Sequence, residues 1–458
     1  MELLKKEDNS LLLIFIFLAI ILLPFNDLPY FGIFGEMSGE GAFYPLLVGI
    51  FIWTIFIFRG QKVIIPQDKV FLLLGIFFLW VLVSGAINFG SISENMTKGR
   101  TGIEKYLLQV IVLAFCLAVT LFLYNILFEA KDYLGLIQYF ALVSLIIAGT
   151  YSLVEIAYLF GSDHAKNILE FIDPYIRNRG LAQRLRSVSG EPSWFAMYCS
   201  FIMPWIVSLI FTEKQRAVHV FLLAYLIIMI VLTFSRTAYF ITITQLGGMI
   251  TLLIFTRADR IEKRKILALI LAVSIGLMSG LSIANTNKVT VDDTKDVVTS
   301  FINDESGYAQ SNEARLGSQN TAENIGKKHP VFGVGLGQYG FYMADYVPEW
   351  AKDNSEIKRW MSSRVGTPWA PVHSIYHRIF AELGYIGLIL WLALWALLLI
   401  KCSAKYLLNS RQSGKPDYLG SALIICIIGV LMSGLNSDTF RFMGYWMSMA
   451  MGVIYIQR

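Results

Sequence analysis

A chain of 458 residues that is 56% hydrophobic and only 16% charged is not an ordinary soluble globular protein, in which about a quarter of residues carry charge. Its formal charge of +5 is small for the length and gives no reason to expect a nucleic-acid partner. One bilayer-spanning helix needs roughly 20 mostly apolar residues, so about twelve spans would use a little over half of the chain.

In chain order, apolar runs of span length lie near 10–24, 43–58, 70–87, 107–128, 135–159 and 193–212. Six more lie near 219–235, 238–255, 266–284, 375–400, 418–434 and 441–457. The first follows Lys5 and Lys6 as a secretory signal would, but no small-residue cleavage site comes after it, so it reads as a retained helix. Between the fifth and sixth runs, Ile168, Leu169 and Ile172 have the spacing of a short helix lying on a membrane surface. The long segment 285–372 between the ninth and tenth runs is predicted to form two helical pieces, near 312–326 and 342–362. A turn containing Gly333, Gly335, Gly337 and Gly340 separates them.

An even number of spans puts both chain ends on one face. The short segments there are the more basic, with Arg59, Lys62 and Lys69, then Arg257, Arg260, Lys263, Arg264 and Lys265, then Lys401, Lys405, Arg411 and Lys415. The positive-inside bias makes that face cytoplasmic and puts 160–192 and 285–372 outside. No repeat, linker or low-complexity tract divides the chain, so residues 1–458 read as one integral membrane domain. Cys116, Cys199, Cys402 and Cys426 lie in or beside apolar runs and read as buried thiols. No Cys/His cluster has metal-ligand spacing, and no metal or cofactor is expected.

Charges kept near membrane depth point to function. Arg236 sits in the tight outer turn Phe234-Ser235-Arg236-Thr237, where snorkelling to the interface is the structural alternative. Arg184 and Arg186 lead into Glu191-Pro192-Ser193, and attraction to anionic headgroups would equally account for them. Proline in a first helical turn beside a carboxylate is also a helix start. Arg315 opens the first helical piece of the long segment. His373, His377, Arg378 and Glu382 begin the tenth run, where Arg378 and Glu382 have the spacing of a helix-surface ion pair worth about 0.5 kcal/mol. Gly333-Val334-Gly335-Leu336-Gly337 lacks the preceding strand and the lysine of a phosphate loop and reads as a turn. Trp350, Trp360 and Trp369 suit either an interfacial belt or a sugar platform.

Arginines and one or two bases on the outer face fit an isoprenoid-pyrophosphate sugar donor, whose leaving group guanidinium binds bidentately. Histidine or glutamate would take the acceptor proton, and arginines supply the charge compensation a metal supplies elsewhere.

His373-Ser374 followed by Gly384-Tyr385-Ile386-Gly387 resembles the histidine signature of the O-antigen ligase and polymerase superfamily. Arg315 with His329 through Tyr339 resembles the preceding part of its large periplasmic loop. Ser235-Arg236-Thr237 resembles its intramembrane arginine turn, and Arg186 through Ala196 its earlier outer-loop signature. These patches span roughly residues 184 to 387.

The resemblance implies an all-α, multi-pass protein of the bacterial inner membrane: a metal-independent glycosyltransferase of the GT-C type with about twelve spans and both termini cytoplasmic. Undecaprenyl-pyrophosphate-linked oligosaccharides would be its donor and acceptor, and a chain-length regulator would be a partner. His373 is expected as the catalytic residue with Glu191 in reserve. Arg236, Arg186 and Arg315 would contact pyrophosphate or sugar, joined by Arg184 and Arg378. Glu191-Pro192-Ser193 looks more like polymerases than ligases, so polymerisation is expected, with a ligase or protein oligosaccharyltransferase as the alternative. A transporter of the same lipid-linked sugars fits less well, because its ionisable residues would lie near mid-bilayer.

Overall fold

The computed structural model describes residues 2–29, 32–212, 216–256, 263–286 and 309–458. Arg257, Arg260 and positions 287–308 of the long segment lie outside the described residues.

The apolar runs fold as α1 (Glu2–Ile21), α2 (Phe43–Phe58) and α3 (Lys69–Ile87), then, beyond the short α4 (Phe89–Glu94), α5 (Gly102–Glu129) and α6 (Tyr133–Leu159). Next come α7 (Asp163–Ile176), α8 (Pro192–Thr212), α9 (Arg216–Leu232), α10 (Arg236–Phe255) and α11 (Lys263–Thr286). The long segment carries α12 (Ala309–Lys328), α13 (Tyr339–Tyr346) and α14 (Ser355–Met361). They are followed by α15 (Ile375–Ser413), α16 (Tyr418–Ser433) and α17 (Met443–Gln457).

Every apolar run therefore falls largely on a helix, as a bilayer demands of backbone groups that find no water, although α1 begins well before its run, at Glu2, and α15 continues well past its run, to Ser413. Among the described residues, seven helices are long and apolar enough to cross a membrane, and four further apolar helices are shorter. Side-chain caps mark several starts: Asp68 accepts from Val70 N at 2.8 Å, and Thr101 with Glu104 forms a capping box.

Helix α8 is the centre of the bundle, with 89% of its apolar window buried, against 22% for α11 at the periphery. Gln245 Nε2 ties α10 to α8 and α16 by donating to Ser200 O (2.7 Å) and Ile425 O (3.2 Å). Gly429 makes room for that amide, since a Cβ there would meet Gln245 Nε2 at 1.9 Å. Polar links between closely approaching helices are the usual means of association where the solvent is itself apolar.

The second predicted helical piece of the long segment, 342–362, is in fact two short helices. Pro348 and the cap residue Asn354 interrupt it; Asn354 Oδ1 accepts from Glu356 N at 3.0 Å. A hairpin that pairs Met96–Thr97 with Arg100–Thr101 precedes α5.

Helix α15 is broken at Gly384 (φ 69°, ψ −171°), and the glycine-rich turn fills the break. Tyr385 N donates to Pro330 O (2.7 Å), Val334 N to Ala381 O (3.1 Å) and Gly335 N to Glu382 O (2.8 Å). The backbone groups freed by the break are thereby satisfied. Gly333 and Gly335 serve this pairing: Gly335 N is one of the donors, and a Cβ at Gly333 would meet Glu382 C at 2.3 Å.

The stretches 22–29, 32–42, 160–191, 233–235, 309–374 and 434–442 meet on one face. Ser189 Oγ donates to Pro24 O (2.7 Å), Arg441 Nη1 to Glu36 O (2.7 Å) and Arg315 Nη1 to Asn436 Oδ1 (3.2 Å). At the opposite face Arg458 Nη1 donates to Ala130 O at 2.7 Å, in the α5–α6 turn.

Candidate active site

Most site residues on this face stand at a helix start or in a strap leading to one, and Arg315 lies in the second turn of α12. Ser235 caps α10 and makes Arg236 its first residue, and the preceding Phe234 takes φ 48°, which turns the chain sharply out of α9. Arg236 Nη2 donates to Asn312 Oδ1 of α12. Arg184 lies on the strap before α8, its Nη1 3.5 Å from Phe234 O. Glu191 immediately precedes α8 and accepts from Arg179 and, at 3.2 Å, from Ser193 Oγ. His373 precedes α15, which Ser374 caps, and is held at φ 59°. A left-handed conformation at a non-glycine residue is strain of the kind that collects at functional sites.

Arg184, Glu191, Arg236, Arg315 and His373 all line one cavity of about 1150 Å³. Four different stretches of chain thus deliver the residues singled out in sequence to one wall. Arg179, Arg441, Glu40, Glu356 and Asp438 line it too, and sequence reasoning missed them. Their signal was weak: Asp438 and Arg441 stand in Asn436-Ser437-Asp438-Thr439-Phe440-Arg441, a short polar connection on the same face. In all, five arginines face four carboxylates across the cavity.

Burial pushes the His373 imidazole below its ordinary pKa, and the Arg315 charge adds to this, while Asp438 and Glu191 oppose it. The ring is therefore neutral at pH 7, and among the described residues its buried Nε2 has no hydrogen-bond partner. It can accept a proton. Glu191 is different: burial would raise its carboxyl, but the hydrogen bond and charge of Arg179, with Ser193 and Arg315, hold it below the ordinary carboxylate value. It is an ion-paired anion that orients Arg179, and a poor base. Glu40 is pushed up to about 7 by burial and the Asp27 charge, against the pull of Arg441.

Two predicted arginines do not line the cavity. Arg186 is buried behind the strap, where its guanidinium donates to Gly190 O (3.1 Å), Arg179 O (3.3 Å) and Gly180 O. It shapes the loop that carries Arg184 and Glu191. Arg378 makes the expected pair with Glu382 (Nε to Oε2, 3.0 Å), but buried inside the protein instead of on a helix surface. It also donates to Asp438 O (2.8 Å) and Gln109 Oε1 (2.8 Å), which fixes the segment bearing Asp438. His377 is turned to Ser374 Oγ (2.9 Å). Of the three tryptophans, Trp360 and Trp369 line the cavity and Trp350 is half exposed away from it.

Residues 221–392 match the O-antigen ligase family. The similarity is to that stretch, which is less than half of the chain. The matched stretch runs from α9 into α15 and holds Arg236, Arg315, Arg378 and His373, whereas Arg184, Arg186 and Glu191 precede it. The match indicates an O-antigen ligase or polymerase type of function in a multi-pass membrane protein, with the glycosyltransferase-like character of that family. No curated protein matches the chain.

Proposed function

We propose that the protein is a polysaccharide polymerase that joins undecaprenyl-pyrophosphate-linked repeat units at the periplasmic face of the bacterial inner membrane. In this reading about twelve helices span the bilayer, both termini are cytoplasmic, and 160–192 and 285–372 are periplasmic. The growing chain on one lipid carrier is the donor, and a hydroxyl of a new lipid-linked unit is the nucleophile. The observation that carries the reading is the convergence of Arg184, Arg236, Arg315, Glu191 and His373 on one cavity.

His373 takes the hydroxyl proton as the acceptor oxygen bonds to the anomeric carbon. The bond from that carbon to the pyrophosphate oxygen breaks, and its electron pair leaves with the pyrophosphate. Guanidinium groups fixed in advance stabilise the charge that develops there, where a solvated cation would first have to reorganise. Glu191 holds Arg179, and Arg186 and Arg378 hold the backbone around the site.

A second reading is supported by the family description itself: a ligase that moves finished glycan to lipid A core or to a protein with the same donor chemistry. The Glu191-Pro192-Ser193 sequence favours the polymerase. Deletion of the gene separates the two on a gel of envelope glycolipids. Loss of a polymerase leaves a single repeat attached, and loss of a ligase leaves none. Complementation with His373→Ala or Arg236→Ala is expected to restore no polymer; unchanged polymer length and yield in both would refute the mechanism.

A further inference from the structure

Trp360 and Trp369 of the long segment stand in the cavity wall, and a lysine from another segment holds the backbone of the first and the ring of the second. The Trp360 ring lies 5.5 Å from the His373 ring. Lys98, from the hairpin before α5, donates to Trp360 O (2.8 Å) and to Pro368 O (2.5 Å) and so clamps the stretch between them. Lys105 Nζ sits 4.2 Å from the Trp369 ring centroid, and Phe341 meets that ring edge-on at 5.1 Å. Gly340 permits this seat, because a Cβ there would come within 2.6 Å of the indole. Indole rings held this way offer a flat, preorganised, electron-rich face to a ligand. Arg315 interacts electrostatically with Glu191, Glu356, Arg236 and Arg184, whereas the cations at Trp369 are Lys98 and Lys105. His373 packs against the Trp360 ring and feels the Arg315 charge.

Displacement at an anomeric carbon needs the attacking hydroxyl and the departing pyrophosphate on opposite sides of that carbon. With pyrophosphate at the arginines and the hydroxyl at His373, the acceptor sugar extends towards the indoles. We propose that Trp360 and Trp369 form the acceptor subsite, a platform on which the terminal sugar of the incoming glycan stacks by its C–H face. This rests on the transferase reading above and assigns the acceptor half of the same site.

The test uses the full-length protein in detergent with the host's own undecaprenyl-pyrophosphate-linked repeat unit as donor and the lipid-free repeat oligosaccharide as acceptor. Trp369→Ala and Trp360→Ala are expected to raise the acceptor KM by roughly threefold to tenfold, more than they lower kcat, with the donor KM little changed. Trp369→Phe, which keeps a ring, should recover most of the loss and guards against simple misfolding. An unchanged acceptor KM in both alanine variants, or an equal loss in the phenylalanine variant, overturns the subsite. Absence of any transfer product from the unaltered protein would instead remove the transferase reading, and the subsite with it.

Discussion

Replacing Gly384 by alanine tests whether the glycine-rich turn and the break in α15 form one structural unit. At φ 69° and ψ −171° the backbone is in a region that is essentially reserved for glycine, at a cost of about 1–3 kcal/mol for another residue. The added methyl would lie 2.2 Å from Val331 O and 2.7 Å from Pro330 O, so the 330–335 segment must move away. Four hydrogen bonds hold that segment: those of Tyr385 N, Val334 N and Gly335 N across the break, and Ser84 Oγ to Phe332 O at 2.7 Å. Losing two or three of them, at roughly 0.5–1.5 kcal/mol each, adds about 1–4 kcal/mol. Gly414 supplies a reference: at φ 63° and ψ 15° it is in the ordinary left-handed region, which costs a non-glycine residue less than the Gly384 conformation, and nothing lies within 4 Å of an added Cβ, so Gly414→Ala bears only that smaller backbone cost. Unfolding in detergent, followed by heat or denaturant, should show Gly384→Ala less stable than Gly414→Ala by at least about 1 kcal/mol. Equal losses in the two variants would refute the pairing argument.

Three further outcomes follow from charges in the cavity and behind it. Because His373 must be neutral to accept a proton and its pKa lies below the ordinary value of 6.5, turnover should be insensitive to that group above neutrality and fall only on acidification. Asp438→Asn removes a charge that raises the His373 pKa while an amide oxygen still serves Val372 N, so the acid limb of kcat should move to lower pH; a shift upward would contradict the placement. Arg378→Ala strands the buried Glu382 carboxylate, a loss of about 3–5 kcal/mol readable as a lowered unfolding midpoint. Arg378→Ala combined with Glu382→Ala should be less damaging than the sum of the two, and strict additivity would argue against a coupled pair.

Helices were legible because hydropathy over a span-length window is a local property, and each apolar run fell largely on a helix. The break in α15 was not legible. It depends on Val331 and Gly384 meeting at backbone distance across more than fifty residues, and no window contains both. The arginines show the same division. Arg236 and Arg315 could be read as functional from their placement on the outer side, and the structure brings both to the cavity. Arg186 and Arg378 carry the same chemistry at the same depth, yet they point into the protein and serve carbonyls and a carboxylate. Which way a guanidinium turns is decided by packing, and its partners are supplied by distant segments. The Arg378–Glu382 spacing was readable; its burial was not.

The balance of charge in the cavity bears on how such a site would turn over. Five unopposed arginines would hold a departing pyrophosphate in a low-dielectric cleft so firmly that its release would limit the cycle. Here Arg179 is engaged by the Glu191 carboxylate, and Arg441 lies 3.6 Å (Nε to Oε1) from Glu40, whose carboxyl, pushed up to about 7, is partly ionised at neutral pH. Pairing orients the guanidinium groups before substrate arrives and opposes part of their pull on the product. The interaction left over is greatest when new negative charge forms, which is at bond cleavage and not in the bound donor. A histidine kept neutral by burial completes the arrangement, since a cationic ring beside Arg315 would attract the leaving group but could no longer accept the proton that bond formation releases.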